Sequence, residues 1–299
     1  MSAEPFFSII IPSYNRGAII GKTINSVLSQ DFSSFEMIIV DDGSTDDTEK
    51  IVNQFRSDKI RYLKIVNSER AAARNHGVRS AAGRYLNFLD SDDLLYPHHL
   101  STAYSLIEKS NAPEVMHIRY DIKDEKGKLL KRAGKLKGNI NIKLVKRGNF
   151  MSCIGVFLRK DIAMVHRFNE DRLLSGSEDH ELWLRLAARY QIAYSNTITS
   201  TLTAHDERSV LNNDRERMET RLKVFIDHIF KDEKFVSVYG DYKRLMIAHT
   251  YTYIALHLSL TGKGKGVSLK FLLKAMYTNP VVFFSRRFFA TLLKLVTVF

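Results

Sequence analysis

Short, continuous apolar runs alternate with segments in which apolar residues recur every three or four positions throughout the first hundred residues. Continuous β-branched runs are typical of buried strands, and the wider spacing is typical of helices. The predicted strands are residues 7–11, 37–40, 60–66 and 85–89, and the predicted helices are residues 17–29, 46–55 and 70–82. This repeated pattern predicts an α/β fold with a mostly parallel sheet, in which ligands bind beyond the carboxyl ends of the strands.

Polar residues cluster where three of the predicted strands end. Residues 13–15 (Ser-Tyr-Asn) follow the first strand, residues 41–44 (Asp-Asp-Gly-Ser) follow the second and residues 90–93 (Asp-Ser-Asp-Asp) follow the fourth. Turn formation or helix capping would account for any one cluster. Because the carboxyl ends of parallel strands lie at the same edge of a sheet, three clusters together favour a binding site.

The third cluster carries three carboxylates directly after a buried strand. Two ionised carboxylates about 6 Å apart repel each other by roughly 3 kcal/mol at an effective dielectric constant near 20. A divalent cation would remove this repulsion, and hard oxygen ligands suit Mg²⁺ or Mn²⁺ better than Zn²⁺. The alternative is a solvated turn that caps a helix beginning near Pro97. The chain has neither a Gly-x-Gly-x-x-Gly nor a Walker-type motif, which disfavours a dinucleotide-binding fold.

The second hundred residues continue the sheet but add a strongly basic segment. Residues 114–122, 148–158 and 192–203 are predicted strands, and residues 178–190 are a predicted amphipathic helix. Residues 123–147 contain ten basic and two acidic side chains with three glycines, which predicts an exposed hairpin or flap. This segment is either a solvated loop or a contact for an anionic acceptor.

Composition and charge limit the classes of function. A chain of 299 residues with 44% hydrophobic residues can bury a full core. The net charge of +12 arises beyond the first hundred residues, since residues 1–100 carry 11 basic and 13 acidic side chains whereas residues 241–299 carry nine and one. No zinc-finger spacing, RNP-like motif or long basic helix accompanies this charge, so we expect no nucleic-acid partner and favour an anionic membrane surface.

Cysteine content and hydropathy predict a cytoplasmic protein on the inner face of the cell membrane. Cys153 is the single cysteine, which excludes an intrachain disulfide and suggests a reducing compartment. The first residues lack the basic region of a signal peptide. No apolar run reaches the roughly 18 to 20 residues that span a bilayer. We therefore expect a soluble or peripheral protein.

The last twenty residues predict an apolar helix with a narrow polar stripe. Arg287, Thr291 and Lys294 recur at helical spacing within residues 280–299, and apolar side chains occupy most of the other positions. Such a helix is typical of the interface of an anionic bilayer. The alternative is a helix that packs on the catalytic domain or on a partner chain.

Five short motifs, in this order, resemble a known family. They are Ile-Pro-Ser-Tyr-Asn at 11–15, Val-Asp-Asp-Gly-Ser-Thr-Asp at 40–46, Ala-Arg-Asn-His-Gly at 73–77, Asp-Ser-Asp-Asp at 90–93 and Ser-Glu-Asp at 177–179. Together they resemble an inverting family 2 glycosyltransferase of the GT-A fold, of the type that builds bacterial surface polysaccharides. The resemblance covers about residues 6–205 and predicts two parts: a GT-A domain over residues 1–220 and a basic, apolar helical region over residues 221–299.

The resemblance implies a nucleotide-diphosphate sugar donor, most often UDP-linked. Pro12 and Tyr14 would shape the uracil pocket, Asp41 would accept a hydrogen bond from the base, and Asp90 would approach the ribose. The remaining residues assigned to the nucleotide are Asn15, Arg74 and Ser91.

The resemblance also implies a metal ion. Asp92 and His205 would hold Mn²⁺ or Mg²⁺ against the diphosphate. One departure from the family concerns Glu69, where relatives often have glycine, and this longer side chain could alter the loop over the nucleotide.

For the acceptor side, the resemblance implies that Asp179 acts as general base, with Glu178 and Trp183 nearby. The alternative for the two carboxylates is charge complementarity at a helix N-terminus, worth about 0.3 to 1 kcal/mol. The expected activity is transfer of one sugar to a hydroxyl of a lipid-linked or growing glycan in cell-surface polysaccharide synthesis. The alternatives are a polyprenyl-phosphate monosaccharide synthase and a non-catalytic nucleotide-binding membrane scaffold.

Overall fold

The computed structural model describes residues 4–204, 215–260 and 265–297, which form one nine-stranded sheet with helices on both faces and at its C-terminal side. The strands cross the sheet in the order β3-β2-β1-β4-β8-β6-β9-β5, and β7 pairs with β6. Their bounds are β1 (Phe7–Ser13), β2 (Phe35–Asp41), β3 (Ile60–Lys64), β4 (Tyr85–Phe88), β5 (Leu94–Leu95), β6 (Val115–Asp124), β7 (Leu129–Arg132), β8 (Val156–Arg159) and β9 (Ala193–Ala204).

Twelve α-helices lie within the described ranges. They are α1 (Ile20–Leu28), α2 (Thr48–Val52), α3 (Glu69–Ser80), α4 (His99–Lys109), α5 (Ile140–Arg147), α6 (Lys160–Val165), α7 (Glu178–Ala187), α8 (Arg215–Ile229), α9 (Glu233–Tyr239), α10 (Lys243–Leu260), α11 (Lys265–Thr278) and α12 (Arg286–Thr297). Short 3-10 helices connect some of them, including Cys153–Gly155 and Pro280–Phe284.

The N-terminal half of the sheet is parallel, as the alternating pattern predicts. β1 pairs in parallel with β2 and with β4, and β2 pairs in parallel with β3. Every residue of β1 and β2 is buried because helices cover both faces. Successive side chains of β1 therefore enter different cores: Ile10 packs in one, and Ile9 and Ile11 pack in the other. The prediction of an α/β fold is confirmed.

Antiparallel pairing begins at β8, which lies between β4 and β6 and runs opposite to both. The buried Asn87 on β4 donates from Nδ2 to the carbonyl oxygens of Ile154 (3.0 Å) and Val156 (2.9 Å), which fixes the start of β8 against the parallel half. The loop that precedes β8 is thereby held near the carboxyl ends of the parallel strands.

The basic segment 123–147 forms a hairpin and then a helix. β6 and β7 pair as an antiparallel hairpin, and all four residues of β7 are exposed. α5 follows, and its Ile140 and Leu144 are buried in a core. The hairpin agrees with the predicted flap, whereas α5 was missed by the prediction, because four of its eight residues are polar or charged and mask a short apolar face.

The C-terminal helices pack on the sheet domain through α8. Phe225, Ile226 and Ile229 of α8 join the core that contains Trp183, whereas Met218 of the same helix packs with residues of α10 and α11. The predicted domain division at residue 220 therefore falls inside a helix that contacts both parts. None of the helices in the described ranges combines the length and the low polarity needed to cross a bilayer.

Helix α12 turns its polar stripe toward the protein. Thr291 is fully buried, and Arg287 donates from Nη1 to the carbonyl oxygen of His249 on α10 (3.3 Å), whereas Lys294 is exposed. Leu293 and Val296, on the other side, are more than half exposed. The spacing of the stripe is thus as expected, but Arg287 contacts α10 and Thr291 is buried, so only Lys294 of the three is exposed to solvent.

Candidate active site

A cavity of about 350 Å³ lies beyond the carboxyl ends of β1, β2 and β4. Five of the residues assigned to nucleotide or metal line it: Pro12, Tyr14, Asp90, Ser91 and Asp92. The lining also includes residues to which the sequence analysis gave no role, among them Arg16, Asp42, Arg70 and Ser152. Arg70 lies one helical turn before Arg74 on α3, and this i,i+4 spacing is the signal that could have identified it.

Two neighbouring elements hold the acidic turn at residues 90–93. The hydroxyl of Thr23 on α1 lies 2.9 Å from the carbonyl oxygen of Ser91 and 3.0 Å from that of Asp93. The Asp93 carboxylate is buried and accepts a hydrogen bond from the backbone N–H of Thr203 on β9 (2.9 Å). Asp93 therefore supports the turn, and both Asp92 and Asp93 line the cavity. β9 ends at Ala204, and the predicted metal ligand His205 lies outside the described residues.

The charge of this cavity suits a cation. Five acidic residues line it against two arginines, Arg16 and Arg70; the acidic residues are Asp42, Glu69, Asp90, Asp92 and Asp93. An anionic diphosphate would be repelled by such a lining unless a cation accompanied it. Within residues 4–204, 215–260 and 265–297, no three His, Cys, Asp or Glu side chains form a group that could hold a metal by themselves. The oxygen donors fit Mg²⁺ or Mn²⁺ only if the substrate or water supplies further ligands.

Asn15 and Asp41 brace the loops of this site and do not line the cavity. The Asn15 side chain accepts a hydrogen bond from the backbone N–H of Thr45 (2.9 Å), and the Asn15 backbone N–H donates to Ser44 Oγ (2.9 Å). Asp41 is fully buried and accepts hydrogen bonds from the Ser44 N–H (2.7 Å) and the Tyr62 hydroxyl. In this arrangement both oxygens of the buried Asp41 carboxylate serve the protein, and its contact with the base stays a prediction.

Glu69 occupies a backbone conformation that favours glycine. Its φ is +75°, and its backbone N–H donates to the Asp42 carboxylate (2.9 Å), as does that of Ser68 (2.7 Å). Residues with a side chain pay roughly 1 to 2 kcal/mol for this region. The glycine that relatives often carry at this position is therefore explained by backbone geometry, and Glu69 adds a carboxylate to the cavity.

Arg74 joins the acidic turn to the start of α7. Its guanidinium donates from Nη2 to Asp90 Oδ1 (2.7 Å) and from Nη1 to Glu178 Oε1 (2.9 Å). Arg74 is 2% exposed, so it holds these carboxylates from behind rather than facing a nucleotide. Burial opposes ionisation of Glu178, but Arg74 and Arg70 outweigh it and hold the pKa of Glu178 below its usual range. One buried cation therefore links the two acidic motifs.

Asp179 lies in the first turn of α7, directly after Glu178. Its carboxylate accepts a hydrogen bond from Asn149 Nδ2 (3.0 Å) and lies within 2.6 Å of the backbone nitrogen of His180. Burial and the neighbouring Glu178 carboxylate raise the pKa of Asp179 to about 7, against the opposing effect of Arg74. A carboxylate with this pKa can accept a proton near neutral pH.

Asp179 opens into a second cavity, of about 160 Å³, between the sheet domain and the C-terminal helices. Asn149, Gly176, Arg221, Tyr253 and Arg287 are among its other lining residues. None of these residues was predicted at the active site, because they are spread over almost 140 positions and share no motif. The two cavities have no lining residue in common.

The two other residues predicted on the acceptor side, Glu178 and Trp183, are both buried. Trp183 is fully buried and packs against Phe168 at a ring-centroid distance of 5.9 Å. It lies four positions after Asp179, and the apolar face of α7 carries it into the core with Leu182 and Leu186. Glu178 is 3% exposed, and its carboxylate forms an ion pair with Arg74. Neither side chain is therefore available to contact an acceptor in this structure.

Comparisons with known proteins identify the family. The model of Glycosyl transferase family 2 matches residues 8–164, which is more than half of the chain. The chain therefore belongs to glycosyltransferase family 2, as the five motifs predict. WfgD of Escherichia coli, a UDP-Glc:α-D-GlcNAc-diphosphoundecaprenol β-1,3-glucosyltransferase, is 32% identical over 190 residues, covering 63% of this chain and 72% of WfgD.

Other relatives share less of their length. An uncharacterized glycosyltransferase of Rickettsia felis is 34% identical over 191 residues, which cover 62% of this chain and 31% of the relative. Matches to two further rickettsial relatives cover 26% and 30% of those proteins. The chain thus spans about a third or less of the length of these curated relatives. The GalNAc(5)-diNAcBac-PP-undecaprenol β-1,3-glucosyltransferase of Campylobacter jejuni is 37% identical over 111 residues, 36% of this chain and 35% of that protein.

Solved structures show the same fold. The crystal structure of S. aureus TarS residues 1–349 in complex with UDP-GlcNAc has a TM-score of 0.64 at 16% identity and covers 92% of this chain and 91% of that one. The mannosyltransferase PcManGT of Pyrobaculum calidifontis, in complex with GDP-Man and Mn²⁺, has a TM-score of 0.59 at 15% identity and covers 94% and 76%. The predicted GT-A fold is confirmed.

Proposed function

We propose that this protein is an inverting, metal-dependent glycosyltransferase that moves a sugar from a UDP-sugar to a hydroxyl of a lipid-linked or growing glycan in cell-surface polysaccharide synthesis. The observation that carries the proposal is the Arg74 bridge. It joins the acidic turn of the first cavity to the helix that begins with Glu178 and Asp179.

The donor binds in the first cavity, with its base beside Pro12 and Tyr14. This position is supported by the site's location beyond the strand ends, where α/β sheets bind nucleotides. TarS, which has the same fold, binds UDP-GlcNAc. Asp90 and Ser91 lie at the same rim and are the candidates for the ribose, although Arg74 already occupies one oxygen of Asp90.

A divalent cation would be held by Asp92 and, as the family resemblance implies, by His205. The cation, when bound, neutralises the charge that grows on the leaving diphosphate. The excess of carboxylates in the first cavity supports this assignment, since the donor itself is anionic. PcManGT, of the same fold, was solved with Mn²⁺.

Asp179 is the general base of the transfer. The acceptor hydroxyl gives its proton to the Asp179 carboxylate as its oxygen forms a bond to the anomeric carbon. The bond from that carbon to the diphosphate oxygen breaks on the opposite side, so the configuration inverts. The pKa of Asp179, raised to about 7 by burial, suits a base that must accept a proton near neutral pH.

The acceptor approaches from a membrane. WfgD and the Campylobacter jejuni relative are named for acceptors linked through a diphosphate to undecaprenol. The C-terminal helices of this chain expose apolar side chains next to basic ones, which suits the surface of an anionic bilayer. We therefore propose a cytoplasmic protein that binds the inner face of the cell membrane.

Replacing the base tests the assignment. Asp179→Asn keeps the shape and the Asn149 contact but removes the proton acceptor, so transfer falls by about 10² to 10⁴-fold. UDP binding in the presence of Mn²⁺, measured by thermal shift, stays close to that of the wild type. Asp58→Asn, at an exposed position away from both cavities, is the matched control and keeps full activity. If Asp179→Asn turns over within a few-fold of the wild type, Asp179 is not the general base.

The donor, the metal and the product are tested separately. A thermal-shift panel of UDP-, GDP- and dTDP-sugars with and without Mn²⁺ measures which ligand stabilises the folded chain. We expect the largest shift from a UDP-sugar with Mn²⁺ and its loss in Asp92→Asn. The mass of the product distinguishes addition to a glycan from addition to polyprenyl phosphate. No transfer of any nucleotide sugar would favour a non-catalytic scaffold.

A further inference from the structure

A buried arginine, Arg221, and a half-buried one, Arg287, line the second cavity together with Asp179, but neither arginine forms an ion pair in the described part of the chain. Arg221 of α8 and Arg287 of α12 both line it, and their guanidinium carbons lie 5.9 Å and 5.5 Å from the ring centre of Tyr253. Arg221 is 4% exposed, and its Nε has no hydrogen-bond partner. Across the three described ranges, no acidic side chain forms an ion pair with Arg221 or Arg287.

Such an arrangement is costly unless an anion completes it. A buried cation without a counter-ion loses its hydration, and neutral groups such as the Tyr253 ring and the His249 carbonyl oxygen contact these arginines without neutralising their charge. Burial lowers the pKa of Arg287 from its usual value, which reflects that loss. His180 adds no charge, because burial lowers its pKa to about 3. Two guanidinium groups with five N–H donors each are suited to phosphate oxygens.

The arginines lie beside the loops that carry Asp179 and its partner Asn149. A Cβ added to Gly176, whose φ is +88°, would lie 2.9 Å from Arg221 Nη1. A Cβ added to Gly148 would lie 4.0 Å from Arg287 Nη2. Gly176 precedes Asp179 by three residues, so their Cα atoms are at most about 11 Å apart. An anion at the arginines is thus within the length of a short saccharide from the proposed base.

We propose that Arg221 and Arg287 bind the diphosphate that links the acceptor saccharide to its lipid. The inference rests on the proposed function and adds the acceptor subsite to it. The donor's own diphosphate belongs to the first cavity, which has different lining residues. Since the distance to Asp179 is short, the preferred acceptor has one or two sugars between the diphosphate and the reacting hydroxyl, rather than a long glycan.

The position of Arg287 also places the lipid. Its guanidinium faces inward to α10, while the same helix exposes Leu293 and Val296 on its outer side. The lipid chain of a diphosphate held at Arg287 would therefore have to pass the edge of α12 to reach this apolar surface. A phospholipid headgroup at the outer surface would instead contact the exposed Arg286.

Binding of farnesyl diphosphate, a lipid diphosphate without a sugar, tests the site independently of turnover. The measurement is made by calorimetry on the full chain with UDP and Mn²⁺ saturating the first cavity. We expect Arg221→Gln and Arg287→Gln each to weaken binding by at least about tenfold. Arg221→Lys, which keeps the charge but not the fork of donors, loses less. Arg286→Gln is the matched control and binds as the wild type.

Related ligands and the control variant test which group the two arginines bind. Farnesyl monophosphate should bind more weakly than the diphosphate, and farnesol weakest of all. An equal loss of affinity in Arg286→Gln would assign the anion to a phospholipid headgroup and overturn the inference. So would phosphatidylglycerol vesicles that bind with the same dependence on Arg221 and Arg287. Unchanged affinity in both arginine variants, with melting temperatures near that of the wild type, would also overturn it.

Turnover separates this inference from the proposed function. With a saccharide linked to lipid by diphosphate, the arginine variants should raise the KM for the acceptor and leave the KM for the UDP-sugar unchanged. The wild type should prefer an acceptor with one sugar to one with six. If the wild type transfers no sugar but still binds farnesyl diphosphate through the arginines, the proposed function fails and the anion site remains.

Discussion

Two adjacent carboxylates in the first turn of α7 have opposite electrostatic environments. Arg74 and Arg70 keep the pKa of Glu178 below its usual range, although burial opposes this. The pKa of Asp179 is raised to about 7 by burial and by the charge of Glu178. Glu178 therefore stays ionised and orders Arg74, while Asp179 can change its protonation state near neutral pH. Environments that separate the pKa values of neighbouring groups are typical of acid–base catalysis.

The raised pKa of Asp179 predicts how activity depends on pH. A general base must be deprotonated, so kcat/KM should rise with pH up to about 7 and level off above it. The profile is measured between pH 5.5 and 9 with constant Mn²⁺. The residual activity of Asp179→Asn should lack this acid limb. An identical limb in that variant would assign the titration to another group.

The same pKa predicts an effect on stability. Because the pKa of Asp179 is higher in the folded protein than its usual value of 3.8, the ionised carboxylate destabilises the fold. The cost begins as the pH rises above about 4 and is complete above about 7. Asp179→Asn should therefore be more stable than the wild type at pH 8, by about 1 kcal/mol or more, and about equally stable near pH 4. Urea unfolding at the two pH values measures the difference.

For single residues, the sequence identified which ones lie near the site but not where each side chain is directed. Pro12, Tyr14 and Asp92 line the first cavity, as their places after strand ends predicted. Asn15 and Asp41 come from the same motifs, yet their side chains are used to hold loops. A motif fixes which residues are near a site. The direction of each side chain depends on φ, ψ and rotamer, which the motif does not specify.

Among the elements, α3 shows why a short motif can need several of its residues. Ala73 is fully buried, Arg74 forms the bridge, and the Asn75 side chain exchanges two hydrogen bonds with Phe168, donating to its carbonyl (2.9 Å) and accepting from its N–H (3.0 Å). Gly77 lies where α3 packs directly on β1. The motif therefore combines a packing face with the positioning of the site.

The packing of α3 on β1 is tested at Gly77. A Cβ at this position would overlap Cγ2 of Ile10, which is fully buried. Gly77→Ala should destabilise the protein by about 1 to 3 kcal/mol, although alanine favours a helix by about 1 kcal/mol. The free energy of unfolding is measured in urea.

Gly134→Ala is the matched control for Gly77→Ala. No heavy atom lies within 4 Å of the added Cβ at Gly134, and its φ is outside the left-handed region. This variant should change the stability by less than about 0.5 kcal/mol. A Gly77→Ala variant as stable as the wild type would contradict the close contact between α3 and β1.

Elements with weak local patterns were predicted less well. The strands β1 and β2 are continuous apolar runs, and their positions agree closely with the prediction. The two-residue strand β5 has no pattern of its own and exists because it pairs with β9. In α12 the spacing of Arg287 and Thr291 was recognised, but only tertiary packing decides which side of a helix faces the protein.

At the scale of the whole molecule, the second cavity requires the C-terminal helices. Its arginines come from α8 and α12, whereas Asp179 and Asn149 come from the sheet domain. The sequence predicted a basic and apolar region after residue 220, and its expected role was mainly attachment to a membrane surface. The structure gives part of that region a place beside the proposed base. Contacts between residues so distant in the chain leave no local signal in a single sequence.

The outer surface of the C-terminal helices predicts binding to anionic membranes. Phe284, Phe289, Leu293 and Val296 are exposed to between 48% and 80%, and residues 241–299 carry nine basic side chains and one acidic. Large exposed apolar groups beside cations suit the interface of a bilayer. Vesicles of phosphatidylglycerol should bind the protein more strongly than neutral vesicles, and salt should weaken the binding.

A double variant, Phe284→Asp with Leu293→Asp, should weaken cosedimentation with phosphatidylglycerol vesicles by at least about tenfold, since each lost side chain contributes about 1.5 to 3 kcal/mol when buried. Val66→Asp is the matched control, because Val66 is 86% exposed but follows β3, outside the C-terminal helices. Transfer to a soluble acceptor should stay unchanged in both variants. If the double variant binds vesicles normally but loses a dimer seen by light scattering, the surface contacts a second copy of the chain and the membrane prediction is wrong.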